Sequence, residues 1–216
     1  IGDGLVEQIA REIEENVALD VRWLPFELHA DTPPAGIDLA GYLAAASGDL
    51  ELDAEETAER WQASQRYLQQ RATEVDLPFQ PPRRLPNSRR ALALAEYARR
   101  RDEEERRTGA APVFFQRVHH ALFHAYFAAG RDIGDLDVLR ELAAEAGLDG
   151  AEALSHLDDK EYTDVIDASM ARAAALGISG TPTFILDGRY VVVGAQPHDV
   201  LRKAFVQVAE ERMEKE

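Results

Sequence analysis

The sequence predicts an α/β fold interrupted by a long all-helical insertion. A β-rich hairpin set between helices fills residues 177–205 (GISGTPTFILDGRYVVVGAQPHDVLRKAF). An amphipathic helix followed by an apolar, aromatic run opens the chain. Between these ends, residues 38–160 read almost wholly as helix. The implied organisation is an α/β core made of residues 1–36 and 161–216, carrying a helical insertion over residues 37–160.

Leu5, Ile9, Ile13 and Val17 recur at helical spacing, with Glu7, Arg11, Glu14 and Glu15 off that face. Residues 18–28 (ALDVRWLPFEL) then read as a strand, with Pro25 near its end. Pro33, Pro34 and Gly36 break the pattern and set the first boundary.

Inside the insertion, Asp53 followed by Glu56 forms a capping-box pattern that starts a helix over residues 54–74. A proline-rich connector, residues 79–86, separates it from a helix over residues 89–107 that Asn87 or Ser88 caps. Arg99, Arg100 and Arg101, followed by Asp102 to Glu105, read as a solvated charged face. The segment from Pro112 to Ala129 carries an apolar stripe of Phe114, Phe115, Val118, Leu122, Phe123, Tyr126 and Phe127, expected to be core. A short helix follows over residues 137–146, stopped by Gly147; beyond the insertion, a helix over residues 161–176, stopped by Gly177, leads back into the core.

In the hairpin, Pro182 cannot donate to a central ladder, so it must open its strand. An X-Pro bond there is a place where a cis peptide is accessible. Asp187-Gly188 is a hairpin turn signal. The return strand covers residues 190–193, and Pro197 suits the start of a last helix.

With 24 basic and 40 acidic residues the formal charge is −16, which argues against a nucleic-acid groove or an anionic membrane surface. No apolar run is long enough to span a bilayer, and the expected setting is cytoplasmic. There are no cysteines in these 216 residues, so neither disulfides nor thiol catalysis can come from them.

The order Gly-Ile-Ser-Gly-Thr-Pro-Thr-Phe, hairpin, Gly-Ala-Gln-Pro, helix resembles the C-terminal half of a thioredoxin fold. With residues 85–92, 121–127, 130–133 and 139–148, and with the opening residues 23–28, it is similar to the DsbA-like oxidoreductases of the FrnE subgroup. That group is related to 2-hydroxychromene-2-carboxylate isomerases and kappa-class glutathione transferases. The resemblance implies a thioredoxin-like core with a large all-α insertion and a thiol–disulfide oxidoreductase activity. In such proteins a Cys-x-x-Cys pair starts the first helix and is followed by a Tyr-Ile-Gly-like sequence. This chain begins Ile1-Gly2, so the pair is expected upstream of Ile1, as is the first, central strand of the sheet.

The same resemblance assigns substrate binding to Gly180, Thr181 and Pro182 and to the corner Gly194, Ala195 and Gln196. A cleft formed with Ile1, Gly2, Asn87, Ser88, His120 and His124 is the accompanying expectation. The bland readings are a strand start for Pro182, helix caps for Gly194 to Gln196 and for Asn87-Ser88, and surface histidines. Related glutathione-using enzymes prefer Gly-Asn/Ser-Asp at the second corner, and Ala-Gln-Pro departs from it. His120 and His124 share a helix face at i, i+4, yet lack the Glu of an H-E-x-x-H site, so no metal and no cofactor are expected. The expected partner is a peptide or a small thiol or disulfide. The alternatives are a glutathione-dependent isomerase or transferase and a redox-dead peptide-binding module.

Overall fold

The computed structural model describes residues 1–15, 17–50, 53–109, 111 and 113–214. Pro112, where the apolar segment was expected to begin, lies outside the described residues. Helix α1 (Gly2–Ile13) is followed by an irregular stretch and by strand β1 (Ile37–Asp38). Helices α2 (Leu39–Leu50) and α3 (Ala54–Thr73) lead to β2 (Arg84–Leu85). The helical series continues with α4 (Arg89–Thr108), α5 (Phe114–Phe123), a π-helical turn (His124–Ala128), α6 (Leu136–Glu145), α7 (Gly150–Ser155) and α8 (Lys160–Ala175). The chain closes with β3 (Thr183–Leu186), β4 (Tyr190–Val193) and α9 (His198–Met213).

Local signals explain most of these elements. Asp53 accepts from Glu56 N while Glu56 reaches back to Asp53 N, a complete capping box. Asp135 and Asp149 cap α6 and α7 through two backbone N–H groups each. Strands β3 and β4 pair antiparallel with Thr183 opposite Val193 and Leu186 opposite Tyr190. Their turn holds Asp187 at φ 50° and Gly188 at φ 66°. A type I′ turn needs positive φ at both central residues, which selects Asp-Gly.

Two expectations about strands are corrected. Residues 18–28 carry no strand, because an extended segment becomes one only against a ladder partner and no described strand lies beside it. Residues 38–160 are not wholly helical, since Arg84–Leu85 pairs antiparallel with Ile37–Asp38. The prolines flanking that stretch exclude helix and leave its backbone free to form the short ladder.

Among the described residues two apolar cores result. The larger joins Leu94 and Tyr97 of α4 to Val118, Leu139, Ala153 and Ile166. The smaller packs Leu5, Val6, Ile9 and Ile13 of α1 on Leu201 and Phe205 of α9, with Phe184, Leu186 and Val192 of the hairpin against them. Each fully buried aliphatic side chain stabilises by roughly 1.5–3 kcal/mol. Within the aromatic stripe, Val118 is fully buried but Phe123 is 45% exposed, so Phe123 is not core. The π-turn that begins at the next residue rotates the chain off the apolar face.

The charged face of α4 is also corrected. Asp102 is 4% exposed and accepts from the backbone N–H of Val113, Phe114 and Phe115. It caps α5 from a neighbouring helix, as the preceding Val113 cannot. Arg99 donates to Trp23 O at 2.8 Å and lies 3.9 Å over the Phe115 ring. Among the described residues, no helix is long and apolar enough to cross a membrane.

Candidate functional site at the start of helix α1

The Thr181–Pro182 peptide bond is cis. Thr183 Oγ1 donates to Gly180 O at 2.7 Å, which ties the loop to the strand that follows it. Gly194 N donates to Pro182 O at 2.8 Å, one step beyond the last paired residues of the hairpin. The loop is therefore fixed from both sides, while Thr181 itself is exposed.

The first turn of α1 lies directly on this loop. Gly2 is buried, and a Cβ added to it would stand 2.7 Å from Pro182 Cβ and 3.7 Å from Phe184 Cζ. Only glycine permits that approach. Ile1 sits at the helix N-cap, its carbonyl accepting from Leu5 N. The structure thus brings together Ile1, Gly2, Thr181 and Pro182, which were assigned from opposite ends of the chain.

The second corner is held from the insertion. Arg71, at the end of α3, donates through Nη2 to Ala195 O at 3.0 Å and to Gln196 O at 3.2 Å. Gln196 Nε2 donates to Val193 O, and Gly194 adopts φ 81°. Pro197 is the N-cap of α9, just ahead of the first helical residue. Nothing in the local sequence around Arg71 announces this role, because its partners lie more than a hundred residues away.

Asn87 and Ser88 are engaged elsewhere. Asn87 Nδ2 donates to Thr32 O at 2.7 Å and its Oδ1 accepts from Arg89 N. Asn87, not Ser88, supplies the capping side chain of α4. Together with Pro34, Gly134 and Asp158 it borders a separate cavity of about 190 Å³. His124 is exposed at the start of the π-turn.

His120 faces α1. Its Nε2 stands 3.4 Å from Asp3 Oδ2 and 3.3 Å from Glu7 Oε1, both on α1. His119 Nε2 lies 3.6 Å from the same Asp3 oxygen, with Trp23, Phe115 and Phe123 rings around it. Burial works against ionisation of Asp3. The polar contact with His119, the charges of His119 and His120 and the terminal ammonium outweigh it, and hold the carboxyl below its usual range. Burial also lowers the pKa of the Ile1 amino group, with Asp3 partly opposing. Glu7 was read only as part of the polar side of an amphipathic helix, and Asp3 was given no role. Their meeting with His119 and His120 requires the fold. Beside them, Glu7, Gln8 and Arg11 face Thr73 and Asp76 across a cleft of about 300 Å³.

A cis-proline loop seated on a helix N-terminus, in a chain with a long helical segment between the two, is the pattern of a DsbA-type thioredoxin fold. The chain belongs to the family described as the DSBA-like thioredoxin domain, whose pattern it matches over residues 5–206. It is similar in structure to a probable DsbA oxidoreductase of Streptomyces coelicolor, with a TM-score of 0.77 and 27% sequence identity. That likeness covers 96% of this chain and 82% of the Streptomyces chain. Among curated relatives, the uncharacterized protein YwbO of Bacillus subtilis (strain 168) is 41% identical over 85 residues. The matched stretch is 39% of this chain and 42% of YwbO, less than half the length of either.

Proposed function

We propose that this protein is a thiol–disulfide oxidoreductase of the DsbA/FrnE type, acting on a peptide or small-thiol substrate at the Gly180–Thr181–Pro182 loop. The observation that supports it is the contact of Gly2 with Pro182. It sets a helix N-terminus against a loop whose exposed Thr181 is free to meet an extended substrate strand by β-type pairing. In this reading a cysteine pair joined to Ile1 supplies the sulfur chemistry. The N-terminus of α1 lowers the pKa of the leading thiol and raises its thiolate fraction. The thiolate attacks a substrate disulfide, forming a mixed disulfide and releasing one substrate thiolate. The second cysteine then displaces the substrate's other sulfur as thiolate, leaving the pair oxidised and the substrate reduced. Arg71, at the end of α3, holds the second corner.

A second reading, a peptide-binding module without redox chemistry, uses the same cis-proline loop. One experiment separates the two. The chain is prepared with a Cys-x-x-Cys leader joined to Ile1 and with the matching Ser-x-x-Ser leader, and both are assayed for insulin reduction and for a trapped mixed disulfide. The oxidoreductase reading expects turnover from the cysteine form only, reduced by Thr181→Pro, which removes a backbone donor from the loop. A folded cysteine form that neither turns over nor traps substrate overturns it. The 216-residue chain without a leader is expected to be inactive, since it offers no thiolate.

A further inference from the structure

We propose that Asp3, Glu7 and His120 form a binding site for a divalent transition-metal ion of the zinc class, with His119 packed against Asp3 beside it. The site joins α1 to α5 and stands independently of the redox reading, because it uses no sulfur.

The distances carry the inference. Donor atoms placed about 2.0–2.2 Å from a tetrahedral metal are about 3.3–3.6 Å from one another. His120 Nε2 lies 3.4 Å from Asp3 Oδ2 and 3.3 Å from Glu7 Oε1, and His119 Nε2 lies 3.6 Å from Asp3 Oδ2. The donor atoms of Asp3, Glu7 and His120 all fall within 4.8 Å of one another. The same distances exceed those of well-formed N–H···O hydrogen bonds, which centre near 2.9–3.0 Å. The spacing fits donors around a central cation better than donors bonded to each other.

A second observation points the same way. His119 Nε2 is sealed from solvent and makes no hydrogen bond of ordinary length; its nearest polar neighbour is Asp3 Oδ2 at 3.6 Å. A buried ring nitrogen left open costs free energy unless something fills it. The Trp23, Phe115 and Phe123 rings hold the imidazole in place, and its open nitrogen faces Asp3. Two carboxylates with an imidazole, leaving one position open, suit zinc and its neighbours better than magnesium, which prefers an all-oxygen octahedron. Spacing in the sequence pairs His120 with His124, but the fold pairs it with α1 instead.

The test uses the 216-residue chain, whose lack of cysteine removes the commonest competing ligand. Zinc binding is followed by calorimetric titration at pH 7.5, with magnesium as a comparator and thermal unfolding as a second readout. One zinc ion should bind saturably, magnesium should not, and zinc should raise the melting temperature. Glu7→Gln and His120→Asn should each weaken zinc binding by about tenfold or more, since even outer-shell changes cost about 10–100-fold. Both positions are 47% exposed, so the variants are expected to fold. His124→Asn and His198→Asn should bind like the parent. Absence of saturable zinc binding, or binding that survives both Glu7→Gln and His120→Asn, overturns the proposal.

Discussion

Substitution of Gly2 by alanine tests the contact on which the site rests. Alanine normally stabilises a helical position over glycine by about 0.5–1 kcal/mol. Here the new Cβ would lie 2.7 Å from Pro182 Cβ and 3.0 Å from Pro182 Cγ. Favourable carbon–carbon contact begins near 3.5 Å, so α1 or the loop must retreat by roughly 0.5–1 Å. The proline ring cannot swing aside as a flexible side chain would, and the loop is tied by Thr183 Oγ1 and Gly194 N. Overpacking of this kind costs about 1–3 kcal/mol. The net expectation for Gly2→Ala is a loss of about 0.5–2 kcal/mol, or a fall of about 2–6 °C in melting temperature for a chain of this size. Gly48→Ala in α2 is the matched control, because a Cβ there meets nothing within 4 Å. It should gain about 0.5–1 kcal/mol and melt a few degrees higher. Thermal unfolding of the two variants beside the parent, followed by circular dichroism, gives both shifts. If Gly48→Ala is stabilised and Gly2→Ala is equally so, then α1 does not press on Pro182 and the candidate site loses its central contact.

Three further outcomes are expected. Asp102→Ala strands three backbone N–H groups at the start of α5 and should cost about 2–4 kcal/mol in urea unfolding, while Asp102→Asn should cost less; an unchanged midpoint for the alanine variant would remove the cross-helix cap. Arg71→Met should keep the packing of the stem but free Ala195 O and Gln196 O, raising hydrogen-exchange rates at residues 194–201 with little effect on α4 to α6. Burial raises the phenols of Tyr126 and Tyr162 to about 12, with Asp132 adding to the first and Glu161 to the second. The unfolded phenols ionise near 10, so the native state loses stability as pH rises from about 10 towards 12 and keeps it in full below that window. The phenols of Tyr97 and Tyr190 are raised as well, so spectrophotometric titration should show four of the six tyrosines ionising late, one fewer in Tyr126→Phe; ionisation of all six together near pH 10 would contradict the burial.

The sequence by itself determined the hairpin, the starts of α3 and α4 and the family. Turn and cap chemistry is local, so Asp187-Gly188, the Asp53–Glu56 box and the proline before Thr183 specify their structures within four residues. Strand pairing is not local. Residues 18–28 have strand composition but no ladder, and Arg84–Leu85 has connector composition but finds Ile37–Asp38. A strand is defined by its partner, and partners are chosen in three dimensions.

The same division runs through the candidate site. Thr181-Pro182 and the glycine at the second position could be read from order along the chain. The contact between them could be anticipated only through the resemblance. Asp3, Glu7, His119 and His120, and the reach of Arg71 to Ala195, could not be read at all, because side chains that look solvated along one helix acquire partners only when a second helix packs beside them. Charge is the least legible property in a sequence for this reason. An Asp on an open helix face and an Asp such as Asp102, closing the end of another helix, are the same residue until tertiary structure removes the water around one of them.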